Sequence, residues 1–190
     1  MNKTYRTAVV VVPPAVVWEP IQQIRQQYDR HYRRWMPHIT LLYPFLPQNV
    51  WPNVLDDLYQ ACRRIQPFEA ELSRLALFSH RSSCTLWLAP SPAKALIDLQ
   101  TALWQAVPDC DDTRRHKDGF TPHLSVGQAP HVSAGQQTGK KPAASLVDEL
   151  QAGWAPVRFP VREVHLIWRN DPPDDIFRIG ETLSLGMPNG

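Results

Sequence analysis

Phe120-Thr121-Pro122-His123-Leu124-Ser125-Val126 sets a proline, a histidine and a hydroxyl ahead of an apolar residue, and Pro37-His38-Ile39-Thr40-Leu41 repeats the pattern earlier in the chain. Each histidine follows a proline, which favours extended backbone just before it. On a strand, side chains two apart share a face. His38 and Thr40 therefore point one way with Ile39 and Leu41 on the other side, and His123 and Ser125 point together against Leu124 and Val126. An imidazole and a hydroxyl buried without partners would cost about 1–3 kcal/mol each. They are expected to line a wet cleft instead. One His-x-Thr is common by chance; two copies, each after proline and each entering an apolar strand, make chance a poor account.

Two such strands side by side present two histidines and two hydroxyls to one ligand, a set that suits phosphodiester chemistry. Opening a cyclic phosphodiester needs a base to take a proton from water and an acid to protonate the leaving ribose oxygen. An imidazole with a pKa of about 6.5 serves either role near neutral pH. The hydroxyls can hydrogen-bond the non-bridging oxygens as charge builds at phosphorus. The scheme requires no metal and no other cofactor. The chain also lacks a His-Glu-x-x-His pattern, which removes a common zinc-hydrolase reading.

Working outward, strands and helices interleave. Thr7 to Val12 reads as a buried strand, and Ile21, Ile24 and Tyr28 recur at helical spacing over 18–29. The first motif strand runs from His38 to Tyr43. A helix starts near Pro52, with Val54, Leu58, Ala61 and Ile65 on its apolar stripe. Phe68 to Phe78 and Thr85 to Leu88 read as two strands joined by a polar turn. Ser91-Pro92 reads as a cap and first helical residue, ahead of Leu96, Leu99 and Leu103. The second motif strand follows, then a long loop over 129–144, a short helix over 145–152 ended by Gly153, a strand-rich stretch from Val157 to Trp168 and a last strand within Phe177 to Leu185. Each half thus has a strand, a helix and a strand that carries a motif.

The bulk numbers fit one bilobal domain spanning 1–190. The 190 residues are 43% hydrophobic and 20% charged, as in an ordinary globular protein, and a net charge of +2 is too small to imply a nucleic-acid coat. Three cysteines without C-x-x-C spacing argue against a disulfide framework and a cysteine zinc site, and fit a reducing compartment. The apolar run Ala8 to Val12, ended by two prolines, is too short for a signal peptide or a membrane span. A cytoplasmic protein with no membrane partner is expected.

At its paired motifs the chain resembles the two-histidine (2H) phosphoesterase superfamily, and within it the branch of 2′-5′ RNA ligases and RNA 2′,3′-cyclic phosphodiesterases. Phe120 to Val126 is similar to that branch's second motif and Pro37 to Leu41 to its first; Thr85-Leu86-Trp87-Leu88 and Val164-His165-Leu166 are similar as well. The resemblance implies an α+β, LigT-like fold of two pseudo-symmetric lobes with antiparallel sheets around a central, metal-free cleft. It implies His38, Thr40, His123 and Ser125 as the catalytic four, and RNA 2′,3′-cyclic phosphate ends or cyclic nucleotides as substrates. Two departures stand out: Ser125 where many members have threonine, and Gly127-Gln128 where many RNA-processing members carry a basic residue.

Beyond the motifs, Phe45, His80, Arg81, Arg115 and Lys117 are candidates for substrate binding. Phe45 follows the first motif and could stack on a base. Arg115 and Lys117 belong to a basic run before the second motif, for which a solvated charged loop is the alternative. Arg33 and Arg34 before the first motif stand in the same position. Tyr43 and Trp87 are assigned to the core, and His31, His131 and His165 to the surface or to structure. Gly135 to Lys141 only superficially resembles a phosphate loop and is rejected. Three functions are weighed: a monomeric phosphodiesterase, able to run in reverse as a ligase, with His123 activating water and His38 serving the leaving group; a non-catalytic nucleotide- or RNA-binding module using the same cleft; and a metal-dependent hydrolase, which would lose activity on chelation.

Overall fold

Among the described residues, eight strands and four α-helices follow the sequence pattern closely. The structure is a computed structural model that describes residues 2–81, 83–115, 119–130 and 142–186. In chain order the elements are β1 (Thr7–Val11), α1 (Trp18–Tyr28), β2 (Ile39–Leu42), α2 (Leu55–Arg63), β3 (Phe68–Ser79), β4 (Ser83–Ser91), α3 (Ala93–Ala106), β5 (Leu124–Pro130), α4 (Ala143–Ala152), β6 (Val157–Val161), β7 (Glu163–Trp168) and β8 (Arg178–Ser184). Two local details differ from expectation. Pro52 lies in a 3-10 turn, Gln48–Asn53, ahead of α2. Ser91 ends β4, and Pro92 takes the cap position of α3 with no side-chain hydrogen bond. The loop expected over 129–144 falls largely on residues 131–141, outside the described residues, as does the rejected phosphate-loop echo.

The expected α+β architecture with antiparallel strands is present, and the sheets of the two halves join edge to edge into one. Its order is β6-β3-β4-β5-β2-β1-β7-β8, and every pairing is antiparallel. It divides into two four-stranded halves that meet where β2 pairs β5, through Ile39 and Leu124. The halves share an order of elements: β1-α1-β2 in one and β4-α3-β5 in the other, each ending on a motif strand beside the seam. The sheet must curl. β6 lies at one edge and β7 second from the other, yet Arg162 alone separates them in sequence, a link that spans only a few ångströms.

One face of the sheet buries the main core. Val9, Val11, Ile39, Leu41, Leu86, Leu88, Leu124, Val126, Val164 and Leu166 all reach it from five strands, joined by Ile21, Leu58, Leu96, Leu99 and Leu103 from the helices. Helix packing crosses the seam: α1 lies on β5 and α3 on β2. The approach of α1 explains Gly127. A Cβ there would stand 2.4 Å from the Cβ of Tyr28, so only glycine admits the helix end. Among the described residues no helix is long and apolar enough to cross a membrane.

Candidate active site

The two histidines stand at the N-terminal ends of the two seam strands. Extending the Ile39–Leu124 register by one residue each way places His38 opposite Ser125 and Thr40 opposite His123. Strand alternation puts all four on the face away from the main core, where each is partly exposed. The expected constellation is therefore brought together from the two halves of the chain.

Each ring is held in the same way. His38 Nδ1 lies 2.7 Å from the Met36 carbonyl, and His123 Nδ1 lies 2.8 Å from the Thr121 carbonyl. Both carbonyls belong to the residue before the motif proline. A carbonyl only accepts, so each Nδ1 carries a proton and Nε2 becomes the nitrogen for proton transfer. This repeated tautomer lock is what a pair of acid–base groups needs.

The surroundings of the two rings differ. His38 stacks on Trp35 at 4.6 Å, and Trp35 stacks in turn on Phe177 at 3.7 Å. His123 meets the rings of Phe78 and Trp87 edge-on at 5.1 and 5.9 Å, and those two rings stack on each other at 4.6 Å. Desolvation lowers the pKa of His38 to about 4. The charges of Arg25 and His123 push the same way, while the Met36 carbonyl and the Asp29 carboxylate pull back. His38 is thus a neutral imidazole at neutral pH.

Behind His38 lies a buried cation. Arg25, 1% exposed, bonds Asp29 through Nε at 2.9 Å, the Gln22 side chain at 3.0 Å and the Trp35 carbonyl at 2.9 Å. The loop that carries Trp35 and Met36 to the histidine is thereby tied to α1. Gln128 joins from β5, accepting from the Arg30 amide at 3.2 Å. The residue that replaces a basic group after the second motif braces this loop.

The flanking candidates fare unevenly. Phe45 is a correction: it is 0% exposed in the main core, because an antiparallel bridge to Thr4 folds it inward, so its ring is not offered to a base. Arg115 is largely exposed, and its guanidinium pairs with Asp111 at 2.7 Å and lies within 4.0 Å of Asp112. Lys117 and His131 lie outside the described residues. His80 and Arg81 sit exposed at the β3–β4 hairpin tip, with His80 Nε2 3.0 Å from the Thr85 hydroxyl. Arg34 pairs with Asp175.

Tyr43 packs, but on the side of His38. Leu42 pairs Val9 and Thr40 pairs Val10, so Leu41 is an extra residue in β2 that reverses the alternation beyond it. Tyr43 then meets Trp35 edge-on at 5.5 Å. Trp87 is buried as expected, at 7% exposure, though on the face it shares with Ser125, its cross-strand partner. His165 is buried and structural: its Nδ1 lies 3.1 Å from the Thr182 hydroxyl, and burial lowers its pKa. Sequence reasoning missed Trp35, Phe78 and Arg25. For Arg25 there was a signal, a cation four residues after Ile21 and four before Asp29, on the apolar face of α1.

Comparison with known proteins speaks to family and fold. The sequence matches the family described as the 2′-5′ RNA ligase superfamily over residues 13–173. A Bacillus mycoides protein, named as a candidate phosphoesterase, is 21% identical over 185 residues, which cover 97% of this chain and 99% of its own. Among solved structures, a Thermus thermophilus protein superposes with a TM-score of 0.63 at 19% identity, covering 95% of this chain and 97% of its own. Escherichia coli LigT in its apo form gives 0.58 at 16% identity, covering 98% and 100%. At such identities the structural likeness speaks for the fold, and the family match speaks for kinship. The chain belongs to the 2′-5′ RNA ligase superfamily and is a two-histidine phosphoesterase.

Proposed function

We propose that this enzyme hydrolyses 2′,3′-cyclic phosphates or 2′-5′ phosphodiesters of RNA ends or nucleotides without a metal, and that the same site can run in reverse to join RNA ends. The observation that carries this reading is the repeated lock of Nδ1 on a carbonyl two residues back, at 2.7 and 2.8 Å, on adjacent strands. It leaves two Nε2 atoms to move protons on either side of one phosphorus. E. coli LigT, of the same fold, has been solved with phosphate and with 3′-AMP, which supports a phosphate-bearing nucleotide as the ligand.

One imidazole takes a proton from water as the water oxygen bonds to phosphorus. The bond from phosphorus to one ribose oxygen breaks, and the other imidazole gives that oxygen its proton. A phosphomonoester and a free hydroxyl result. Thr40 and Ser125 hydrogen-bond the non-bridging oxygens. His38 is unprotonated at pH 7 and free to accept a proton, which supports the reverse of the assignment made from sequence: His38 takes the water proton, and His123 serves the leaving oxygen. One chain carries both histidines, so a monomer suffices. The three buried free thiols support a reducing, cytoplasmic setting.

The test is hydrolysis of a nucleoside 2′,3′-cyclic phosphate in the presence of EDTA. Activity is expected to survive chelation and to fall about 10²–10⁴-fold in His38→Ala and in His123→Ala, each with an unchanged melting curve. Full activity in either variant, or tight binding with no product from the wild type, would overturn the proposal.

A further inference from the structure

Phe78 lies on β3, on the face that carries the histidines, and its surroundings are unusual for a phenylalanine. It belongs to none of the three apolar clusters found among the described residues, either as a buried member or as a partly buried one packed against them. Its ring contacts are with the cleft: stacked on Trp87 at 4.6 Å and edge-on to His123 at 5.1 Å. The ring is only partly buried.

The other aromatic rings at the dyad are not available in this way. Trp35 is sandwiched, with His38 at 4.6 Å and Phe177 at 3.7 Å. Trp87 is 7% exposed and lies under Phe78. Tyr43 is engaged edge-on with Trp35 at 5.5 Å and with Tyr5 at 5.6 Å, so on the His38 side the aromatic rings already pack on one another. Beside His123 a partly exposed ring stands one ring-width from the reacting group. Base–aromatic stacking tolerates any base, because every base has a π-face.

We infer that Phe78 is the stacking platform for the nucleobase of the substrate, which sets the nucleoside on the His123 side of the phosphorus and water on the His38 side. This rests on the phosphodiesterase reading above and adds an orientation to it. In a nucleoside 2′,3′-cyclic phosphate the base and the leaving oxygen belong to one ribose. A base held beside His123 therefore brings the leaving oxygen to that histidine, in accord with a neutral His38 facing water. His80, at the hairpin tip just beyond Phe78, reaches the hydroxyl of Thr85, the cross-strand partner of Phe78, and so borders this platform.

The experiment compares two substrates, a nucleoside 2′,3′-cyclic phosphate and glycerol 1,2-cyclic phosphate, which has the reacting ring but no base. In Phe78→Ala the ratio of kcat/KM for the nucleoside to that for the glycerol compound is expected to fall about tenfold, the scale of one stack, mainly through KM. Phe78→Trp should restore the ratio. Equal losses on both substrates would make Phe78 a mere support for His123 and overturn the inference, as would an unchanged ratio. Calorimetric binding of 3′-AMP to wild type and Phe78→Ala supplies a measurement independent of turnover. If the wild type turns over neither substrate, the phosphodiesterase reading fails. Weaker 3′-AMP binding in the variant would then still uphold the stacking platform, and equal binding would sink it.

Discussion

At the scale of single residues, His38 is where local chemistry and burial act against each other. An imidazole in water titrates near 6.5, and desolvation beside Trp35 brings this one to about 4. The unfolded chain therefore binds this proton before the folded one does. Stability from His38 is fully present above about pH 6.5 and falls as pH drops towards 4, by at most about 3 kcal/mol. His31 and His165, whose pKa values are also lowered by burial, act in the same direction. Urea unfolding at pH 7 and pH 4.5 should show a clearly smaller acid loss in His38→Gln than in the wild type. Equal losses in the two proteins would mean that His38 titrates normally. The motif also shows what a residue pattern can convey. The histidine and hydroxyl on one strand face were legible in sequence, whereas Trp35 and Phe78 were not. Their meeting with the histidines depends on a loop and on a neighbouring strand.

At the scale of elements, the crossing of α1 onto β5 is the contact that shapes the site. Tyr28 lies against Gly127, and Asp29, Arg25 and Gln128 then lock the loop that leads to His38. Gly127→Ala would place a methyl group 2.4 Å from the Tyr28 Cβ, a clash between two stiff parts. Overpacking of this kind costs about 1–3 kcal/mol. The variant should lose that much in denaturant unfolding, and activity should fall with it, because the displaced helix end carries the Arg25 brace. A variant as stable as the wild type would refute the tight approach. Sequence placed α1 and β5 correctly as elements, since apolar spacing and β-branched runs are local signals. It offered nothing about their meeting, a contact between the two halves. The reversal at Tyr43 has a similar origin: one extra residue in β2, visible only in the pairing with β1.

At the scale of the whole molecule, the sheet is two halves joined where β2 meets β5, and each half supplies one histidine. A ligand held by both histidines ties the halves together. A nucleoside monophosphate at about 100 times its dissociation constant should then stabilise the fold by about 2.7 kcal/mol. The rise should appear as a shift in Tm that His123→Ala sharply reduces. No shift in Tm, or an equal shift in His123→Ala, would overturn the grip by both histidines.

The sequence by itself determined the element order, the two motif strands and the chemistry they carry, because alternation and helical spacing are written into short stretches of chain. Tertiary structure decided the rest. It joined the two expected sheets into one, drew Phe45 into the core, turned Arg115 onto Asp111 and made His38 neutral. Each of these depends on which distant groups come to lie nearby. Desolvation and ion pairing follow from that assembly and leave no periodic trace in the chain.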